Sequence, residues 1–231
     1  MRTLGLIGGM SWESTAHYYR LINEGVRDRC GGLHSAPLLM QSVDFAGIAA
    51  LQHDGDWAAI KAQMIAAATR LEQAGAEAIV ICTNTIHKVA PAIEAHTGVP
   101  LLHIADAAGT AIRQAGHRCV GLLGTAFTME QPFYRERLAA CSGAEVIVPD
   151  AAGRADVHRI IYDELVRGVV RDGSRAAYRD VIAALVAEGA QAVVLGCTEI
   201  MLLVRPEDAA VPLFDTTALH AARAVEFIVS E

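Results

Sequence analysis

The 231-residue sequence lacks several features that would point to common classes of partner. Its only lysines are Lys61 and Lys88 and its formal net charge at pH 7 is −7, so it has no basic stripe for nucleic acid. No apolar run approaches the roughly 18 residues of a membrane-spanning helix. The glycine-rich start runs directly into Trp12 and Glu13, which fits a buried first strand better than a signal peptide. We therefore expect a cytoplasmic protein that binds neither nucleic acid nor membrane.

Cysteine and histidine are present, but not in the patterns of their usual structural roles. The five cysteines are odd in number and have no tight spacing, which argues against a disulfide framework and against a zinc site. The nine histidines are scattered, without an HxxxH pair. We expect no bound metal and a reducing compartment.

The most informative positive feature is that the second half of the chain repeats the first. Residues 74–85 read AGAEAIVICTNT, and residues 188–199 read EGAQAVVLGCTE. Three landmarks recur at offsets of 116, 115 and 112 residues, and the middle one joins Cys82 to Cys197. A nearly constant offset indicates a duplicated domain, in which the two cysteines would occupy matching places.

Short apolar runs alternate with longer helical patterns, and their valine, isoleucine and leucine are typical of strands buried on both faces of a parallel sheet. The expected strands are 3–8, 37–43, 78–82, 100–104, 118–124, 145–149, 192–197 and 211–214. The expected helices are 13–29, 57–74, 85–96, 106–115, 127–140, 154–168, 174–188 and 216–229. The alternation predicts an α/β protein of two similar, doubly wound parallel-sheet domains.

The phase of the repeat predicts where the two domains begin and end. We assign residues 1–104 and 211–231 to the first α/β domain, and residues 105–210 to the second. Two such halves are expected to enclose a cleft, which is where a ligand site would lie.

Cys82 and Cys197 are the leading candidates for chemistry. Each is expected to end a strand, where open α/β sheets bind ligands, and each is followed by threonine and a helix. The start of a helix would lower the thiol pKa and hold an anion. Either cysteine alone would be interpreted as buried core, but the matching pair favours two thiols acting on one substrate from opposite sides. We expect the remaining cysteines to be structural: Cys30, Cys119 and Cys141.

Several other polar residues have both a functional and a structural interpretation. Asp44 either caps a helix or belongs to a site, whereas His87 and Lys88 are expected on a solvated face. Glu199 either acts on the Cys197 thiol or on an amino group, or is a first-turn glutamate favoured by the helix dipole. The glycines after the first strand lack the spacing of a dinucleotide fingerprint and indicate a tight turn.

Three segments resemble the cofactor-independent aspartate/glutamate racemase family: GGMSWEST from residue 8, ICTNTIHK from residue 81 and GCTEI from residue 196. The similarity extends over the whole chain and is closest to the broad-specificity amino-acid racemase subgroup. This resemblance implies two α/β domains related by pseudo-twofold symmetry with an active site between them. It also implies a small-molecule amino-acid substrate, no pyridoxal phosphate or other cofactor, no metal, and a homodimer.

The resemblance further implies roles for individual residues. Cys82 and Cys197 would be the two acid/base thiols, one removing the α-proton and the other returning a proton to the opposite face. The residues implied to surround the substrate are Met10, Gln52, Thr83, Asn84, Thr85, Thr125, Thr198 and Glu199.

The sequence departs from the family pattern at one place that bears on the substrate. Relatives specific for dicarboxylates are expected to carry an arginine after the second strand, to bind the side-chain carboxylate. This chain has no Arg or Lys between Asp44 and Ile60, and the position we match has the neutral Gln52. We therefore expect a broad or neutral substrate range rather than strict specificity for aspartate or glutamate.

Two other functions are compatible with the same residues. A decarboxylase or cis–trans isomerase of the same superfamily would use one cysteine, and a non-catalytic amino-acid-binding protein would keep only the cleft. The presence of both cysteines, each followed by threonine, favours the racemase. Fast alkylation by iodoacetamide, with protection by substrate, would distinguish a catalytic pair from a binding site.

Overall fold

The structure, a computed structural model, describes residues 1–230. The strands in that range are β1 (Leu4–Gly8), β2 (Leu38–Ser42), β3 (Ala78–Ile81), β4 (Leu101–Leu102), β5 (Cys119–Gly124), β6 (Glu145–Ile147), β7 (Ala192–Gly196) and β8 (Leu213–Asp215). The α-helices are α1 (Trp12–Cys30), α2 (Phe45–Asp54), α3 (Trp57–Gln73), α4 (Ala90–Glu94), α5 (Ile104–Ala115), α6 (Ala126–Glu130), α7 (Pro132–Ser142), α8 (Ala151–Asp163), α9 (Asp172–Ala187), α10 (Ile200–Leu203) and α11 (Thr216–Val229). None of these helices combines the length and the apolar character that crossing a bilayer requires.

The chain forms two compact units, each built on one four-stranded parallel sheet. Unit 1 comprises Met1–His103 and the segment from His220 onward, and unit 2 comprises Ile104–Leu219. The strand order is β2-β1-β3-β4 in unit 1 and β6-β5-β7-β8 in unit 2, and every pair is parallel. Helices cover the sheets, so the predicted α/β class of two similar parallel-sheet domains is confirmed.

The sheet of unit 1 is buried on both faces, because apolar side chains alternate between two hydrophobic clusters. Ile79 and Ile81 of β3 point into a cluster with α3 residues such as Met64. Ala78 and Val80 point the other way, into a cluster that includes residues of α1 and α11. Successive side chains of a strand face opposite sides of the sheet, and Cys82, directly after β3, continues the alternation into the second cluster.

The sheet of unit 2 repeats this arrangement. Val193 and Leu195 of β7 point into a cluster formed with α8 and α9. Ala192 and Val194 point into the opposite cluster, which includes residues of α5 and α7. The two units therefore use equivalent sheet faces, and the residues that follow β3 can be compared directly with those that follow β7.

The eight predicted strands are all present, with ends within two residues of the expected ones. The helices differ at more places: α10 was not predicted, and the predicted helix 154–168 is α8 followed by a 3₁₀ turn over Leu165–Arg167. Three further differences lie after β2, β5 and β3. Helix α2 was not predicted, although Asp44 accepts a hydrogen bond from the Ala46 N–H as its N-cap. The predicted helix 127–140 is interrupted at Gln131, because the following Pro132 disfavours the helical conformation of the residue before it.

The third difference follows β3 directly. The predicted helix 85–96 is a 3₁₀ turn over Thr85–Val89 followed by the five-residue helix α4. Such short segments present a much smaller dipole than a long helix, because the macrodipole is a sum over aligned peptide units.

The units also divide the chain differently from the expected domains over residues 211–219. The sequence analysis assigned this segment to the first domain, whereas Leu213, Phe214 and Asp215 pair with β7 and extend the sheet of unit 2. The chain returns to unit 1 only at His220, within α11. Hydrogen bonding of β8, which the repeat alone does not specify, places this strand in the second sheet.

Gly196 gives a test of the close packing at the end of β7. A Cβ atom at Gly196 would lie 2.8 Å from both the Leu122 Cδ1 and the backbone oxygen of Leu123, and the backbone atom cannot move without disturbing the sheet. We expect Gly196→Ala to lower the free energy of unfolding by about 1–3 kcal/mol, as overpacking does. The matched control is Gly173→Ala, because nothing lies within 4 Å of its Cβ position. Chemical denaturation of the two variants checks this, and equal stabilities would contradict it.

Candidate functional site

Most of the polar residues singled out from the sequence lie after the carboxyl ends of β3 in unit 1 and of β5 and β7 in unit 2, whereas Asp44 and Gln52 follow β2. Ser11, which follows β1, is a further polar residue at such a strand end. Ser11 caps α1 by accepting a hydrogen bond from the Ser14 N–H at 3.3 Å. In unit 2, Thr125 caps α6 in the same way, through the Thr128 N–H at 3.4 Å. The carboxyl ends of parallel strands are where open α/β sheets bind ligands.

Cys197 lies in a short hydrogen-bonded network with one carboxylate. The Cys197 Sγ donates to Glu199 Oε2 at 3.0 Å, and the Thr198 Oγ1 donates to the same oxygen at 2.9 Å. All three residues are buried. The network leaves Glu199 Oε2 in direct contact with the thiol proton, so it is placed to receive that proton.

The pKa of the Cys197 thiol is raised well above its ordinary value, which corrects the expectation of a lowered pKa. Burial is the largest cause, and the negative charge and hydrogen bond of Glu199 raise it further. The backbone N–H groups of Glu199 and Thr198 act in the opposite direction by hydrogen bonding to the sulfur. The following helix α10 has only four residues, so helix polarity does not offset burial. The resting group at neutral pH is therefore a thiol.

Two tyrosines that sequence reasoning missed share this environment. Burial raises the pKa of Tyr162 to about 12, and the negative charges of ionised Cys197 and of Glu199 add to the effect. The same causes, together with the charge of Glu164, raise the pKa of Tyr178, whose hydroxyl donates to the Val157 carbonyl at 3.4 Å. Both phenols remain neutral near neutral pH. No spacing in the sequence marks them, because they come from α8 and α9.

His158 of α8 is a further residue that the sequence analysis did not identify. Its Nδ1 lies 3.1 Å from the backbone nitrogen of Ala126, directly after Thr125. An N–H group faces this nitrogen, so Nδ1 is an acceptor and the ring is neutral. Burial lowers the pKa of His158, in agreement with that assignment. The ring thus fixes the start of α6 beside Thr125.

Cys82 has a different environment from Cys197. Its side chain is fully buried in the cluster of Ala78 and Val80, which packs against α1 and α11. Burial raises the pKa of its thiol. The next residue, Thr83, is partly exposed.

The strand registers show which residues of the two units are equivalent. Ile81 pairs with Ile7 in unit 1, as Leu195 pairs with Leu123 in unit 2. Counting one residue further, Cys82 corresponds to Gly196. Counting two residues further, Thr83 corresponds to Cys197.

The burial pattern gives the same correspondence independently. Cys197 belongs to the cluster of Val193 and Leu195, whereas Cys82 belongs to the cluster on the opposite face from Ile79 and Ile81. The sequence analysis matched Cys82 with Cys197. The strand registers instead place the equivalent of Cys197 one residue later, at Thr83. A role of Cys82 as an acid/base thiol stays a prediction.

The other residues of unit 1 are buried but come from separate segments. Asn84 and Thr85 begin the 3₁₀ turn after β3, Met10 belongs to the same core cluster as Ile81, and Gln52 lies on α2.

The sequence analysis expected His87 and Lys88 on a solvated face, but the structure places them differently. His87 is 1% exposed, and the ammonium group of Lys88 lies 3.8 Å from the centroid of the Trp57 ring. Burial lowers the pKa of Lys88. The contact with Trp57 has the geometry of a cation–π interaction, so Lys88 helps to hold the turn against α3.

The cysteine and acidic side chains do not gather into a metal site. Within residues 1–230, no group of three or more His, Cys, Asp or Glu residues is placed to hold a metal ion. All five cysteines have free thiols. The chemistry that these residues offer is proton transfer and hydrogen bonding.

Comparison with known proteins gives consistent results. The family model of Asp/Glu/hydantoin racemases matches residues 7–224. A Yersinia pestis protein presented as a candidate Asp/Glu racemase is 55% identical over all of both chains, with a TM-score of 0.93. An aspartate racemase homologue from Pyrococcus horikoshii is 33% identical, again over all of both chains, with a TM-score of 0.85. The aspartate racemase of Picrophilus torridus, 16% identical over 97% of this chain and 94% of that one, shares the fold with a TM-score of 0.75.

Replacing Glu199 by glutamine tests the contact with Cys197. Because the Glu199 charge and hydrogen bond raise the pKa of the thiol, Glu199→Gln should lower it. We expect alkylation of Cys197 by iodoacetamide to reach its half-maximal rate at a lower pH, measured by peptide mass spectrometry over about pH 6–10. The control variant is Glu207→Gln, at an exposed carboxylate of the same unit. An unchanged profile for Glu199→Gln would contradict the assignment.

Proposed function

The chain belongs to the Asp/Glu/hydantoin racemase family, and we propose that it interconverts L- and D-amino acids at the α-carbon without a cofactor. The observation that carries this proposal is the hydrogen bond of the Cys197 thiol to the Glu199 carboxylate, at the carboxyl end of β7. This contact joins a group that can carry a proton to and from carbon with a group that can hold that proton in between.

The proposed step at Cys197 is a proton transfer in two parts. The thiol gives its proton to Glu199 Oε2, and the resulting thiolate removes the α-proton of the amino acid. The electron pair of the broken C–H bond moves toward the substrate carboxylate, which becomes an enediolate. In the reverse direction the Cys197 thiol delivers its proton to the carbanion carbon. Positioned proton transfer of this kind contributes about 10²–10⁴-fold to a rate.

The enediolate needs hydrogen-bond donors, because negative charge develops on the substrate carboxylate. The hydroxyl of Thr125 and the backbone N–H groups of Thr198 and Glu199 are candidate donors in unit 2. The side chains of Asn84 and Thr85 are candidates in unit 1. One such donor is typically worth about 3 kcal/mol of transition-state stabilisation.

A racemase also needs a proton donor on the opposite face of the α-carbon. The sequence analysis assigned this role to Cys82 in a two-base mechanism. Thr83 is supported instead, because it is the equivalent of Cys197 and is partly exposed. Cys82 is less suited to the role, because its side chain is fully buried in the core. We propose that the segment of Cys82 and Thr83 supplies the second group, and variants of the two residues separate the alternatives.

We propose a broad or neutral range of side chains rather than strict use of aspartate or glutamate. The support is the buried, neutral Gln52 on α2, a helix without arginine or lysine. A dicarboxylate would leave its second carboxylate without a cation from this helix. The proposal further includes a homodimer in the cytoplasm.

Racemase activity is tested with the purified protein and no added cofactor. Chiral chromatography follows the L- and D-forms of alanine, serine, methionine, aspartate and glutamate, together with a 5-substituted hydantoin. We expect both enantiomers to appear from either form of at least one amino acid. Conversion of the hydantoin alone would contradict an amino-acid substrate, and release of carbon dioxide without inversion would indicate a decarboxylase.

Variants at the proposed bases form a second prediction. We expect Cys197→Ser to lower kcat by about 10²–10⁴-fold, while the exposed control Cys30→Ser keeps the wild-type rate. Wild-type turnover by folded Cys197→Ser would exclude its thiol as a base. Loss of turnover in Thr83→Val but not in Cys82→Ser would assign the second proton to Thr83. The reverse result would establish the two-thiol pair.

A further inference from the structure

Unit 1 contains a buried histidine cluster that the proposed proton transfer does not use. We define the histidine cluster as His87, His103 and His220. Their exposed fractions are 1%, 4% and 0%, and Tyr18 beside them is 0% exposed. The ring centroids of His87 and His103 lie 4.4 Å apart, and those of His87 and His220 lie 5.8 Å apart.

His220 is fixed in one tautomer by its two hydrogen bonds. Its Nε2 lies 2.7 Å from the Leu102 carbonyl oxygen, which can only accept, so Nε2 carries a proton. Its Nδ1 lies 2.8 Å from the Tyr18 hydroxyl, which donates to it in the neutral ring. His220 thereby connects α1, β4 and α11, and the His87 ring packs against its ring.

His87 makes the contact that reaches the candidate site. Its Nδ1 lies 2.8 Å from the Thr83 carbonyl oxygen, so Nδ1 carries a proton and donates it to that carbonyl. Its backbone N–H donates to the Asn84 carbonyl at 3.1 Å. The side chain and the backbone of one residue thus close the turn that contains Thr83 and Asn84.

Hydrophobic packing alone gives no reason for imidazole rings here. Burying a polar group costs free energy unless it is hydrogen-bonded, and leucine or phenylalanine would fill the same volume without that requirement. The rings lie together where β4, α11 and the turn after β3 meet. His103 and His220 are also the residues of unit 1 at which the chain leaves for unit 2 and returns.

We propose that His87 is a positioning residue, which holds the Thr83–Thr85 segment in its active geometry through the Nδ1–H bond to the Thr83 carbonyl. His103 and His220 hold the His87 ring in place. The inference rests on the proposed function, because the segment matters only if it acts on the substrate. A displacement of about 1 Å at a reacting group can lower a rate by roughly 100-fold.

The chain offers a matched control for this contact. His96 makes the same type of hydrogen bond, from Nδ1 to the carbonyl oxygen four residues earlier, Ala92, at 2.7 Å. That bond lies at an exposed position after α4. His96→Leu therefore removes an equivalent local bond from the same unit without touching the turn after β3.

Two replacements of His87 separate its hydrogen bond from its volume. In His87→Asn the amide nitrogen takes roughly the place of Nδ1 and can still donate to the Thr83 carbonyl. In His87→Leu no donor is left. Should His87→Leu fail to fold, His87→Gln takes its role, because the longer amide reaches the place of Nε2 and not that of Nδ1.

The test measures kcat and KM of racemisation for these variants, together with hydrogen exchange of a peptide covering residues 82–89. We expect His87→Leu to lower kcat by about 10- to 100-fold, with a smaller change in KM and faster exchange in this peptide. His87→Asn should recover kcat to within about threefold, and His96→Leu should match the wild type.

Wild-type kcat in folded His87→Leu would overturn the inference, as would a His87→Asn variant as slow as His87→Leu. If the wild type racemises no amino acid, the proposed function fails, and the exchange data still decide on the turn. Unchanged hydrogen exchange of residues 82–89 in His87→Leu would then overturn the positioning role. Faster exchange in His87→Leu, with a return to the wild-type rate in His87→Asn, would support it.

Discussion

The Cys197 thiol, which we propose as a base, lies where burial opposes its ionisation, and the proposed chemistry depends on how that opposition is offset. Burial raises the pKa of Cys197, and the neighbouring Glu199 raises it further. The same carboxylate oxygen accepts the thiol hydrogen bond at 3.0 Å. A carboxylate that disfavours the isolated thiolate is therefore also the nearest place for the thiol proton.

The contact between Cys197 and Glu199 allows a thiolate to form without a change in the net charge of the pair. If the thiolate forms only by proton transfer to Glu199, the negative charge of the pair moves from oxygen to sulfur without a change in net charge. A buried pair with constant net charge avoids the large desolvation penalty of a newly created ion. Thr198 donates to the same oxygen and the two backbone N–H groups reach the sulfur, so both resting places of the charge have donors.

Much of the fold follows from the sequence, because apolar runs and turn residues are local signals. All eight strands and the repeat could be predicted, and the α/β class with them. The position of β8 could not, since a three-residue strand is assigned by its hydrogen bonds to β7. The buried environment of His87 also escaped the pattern, because its contacts come from His103 and His220, which are distant in sequence.

The same limit applies to individual residues of the candidate site. The sequence identified the segments after β3 and β7, but it matched Cys82 with Cys197, one residue away from the strand register. Because successive strand residues face opposite sides of the sheet, a one-residue shift moves a side chain to the other face. Tyr162, Tyr178 and His158 carried no signal, since each reaches the site region through tertiary packing alone.

The most direct test of the central claim is proton NMR of an amino acid in D₂O with wild-type protein and no added cofactor. Removal of the α-proton by a base that exchanges with solvent predicts loss of the α-proton signal, with deuterium in the product of opposite configuration. Retention of the α-proton signal across acidic and neutral amino acids would contradict the account. The Cys197–Glu199 pair would then need a role other than proton transfer at the α-carbon.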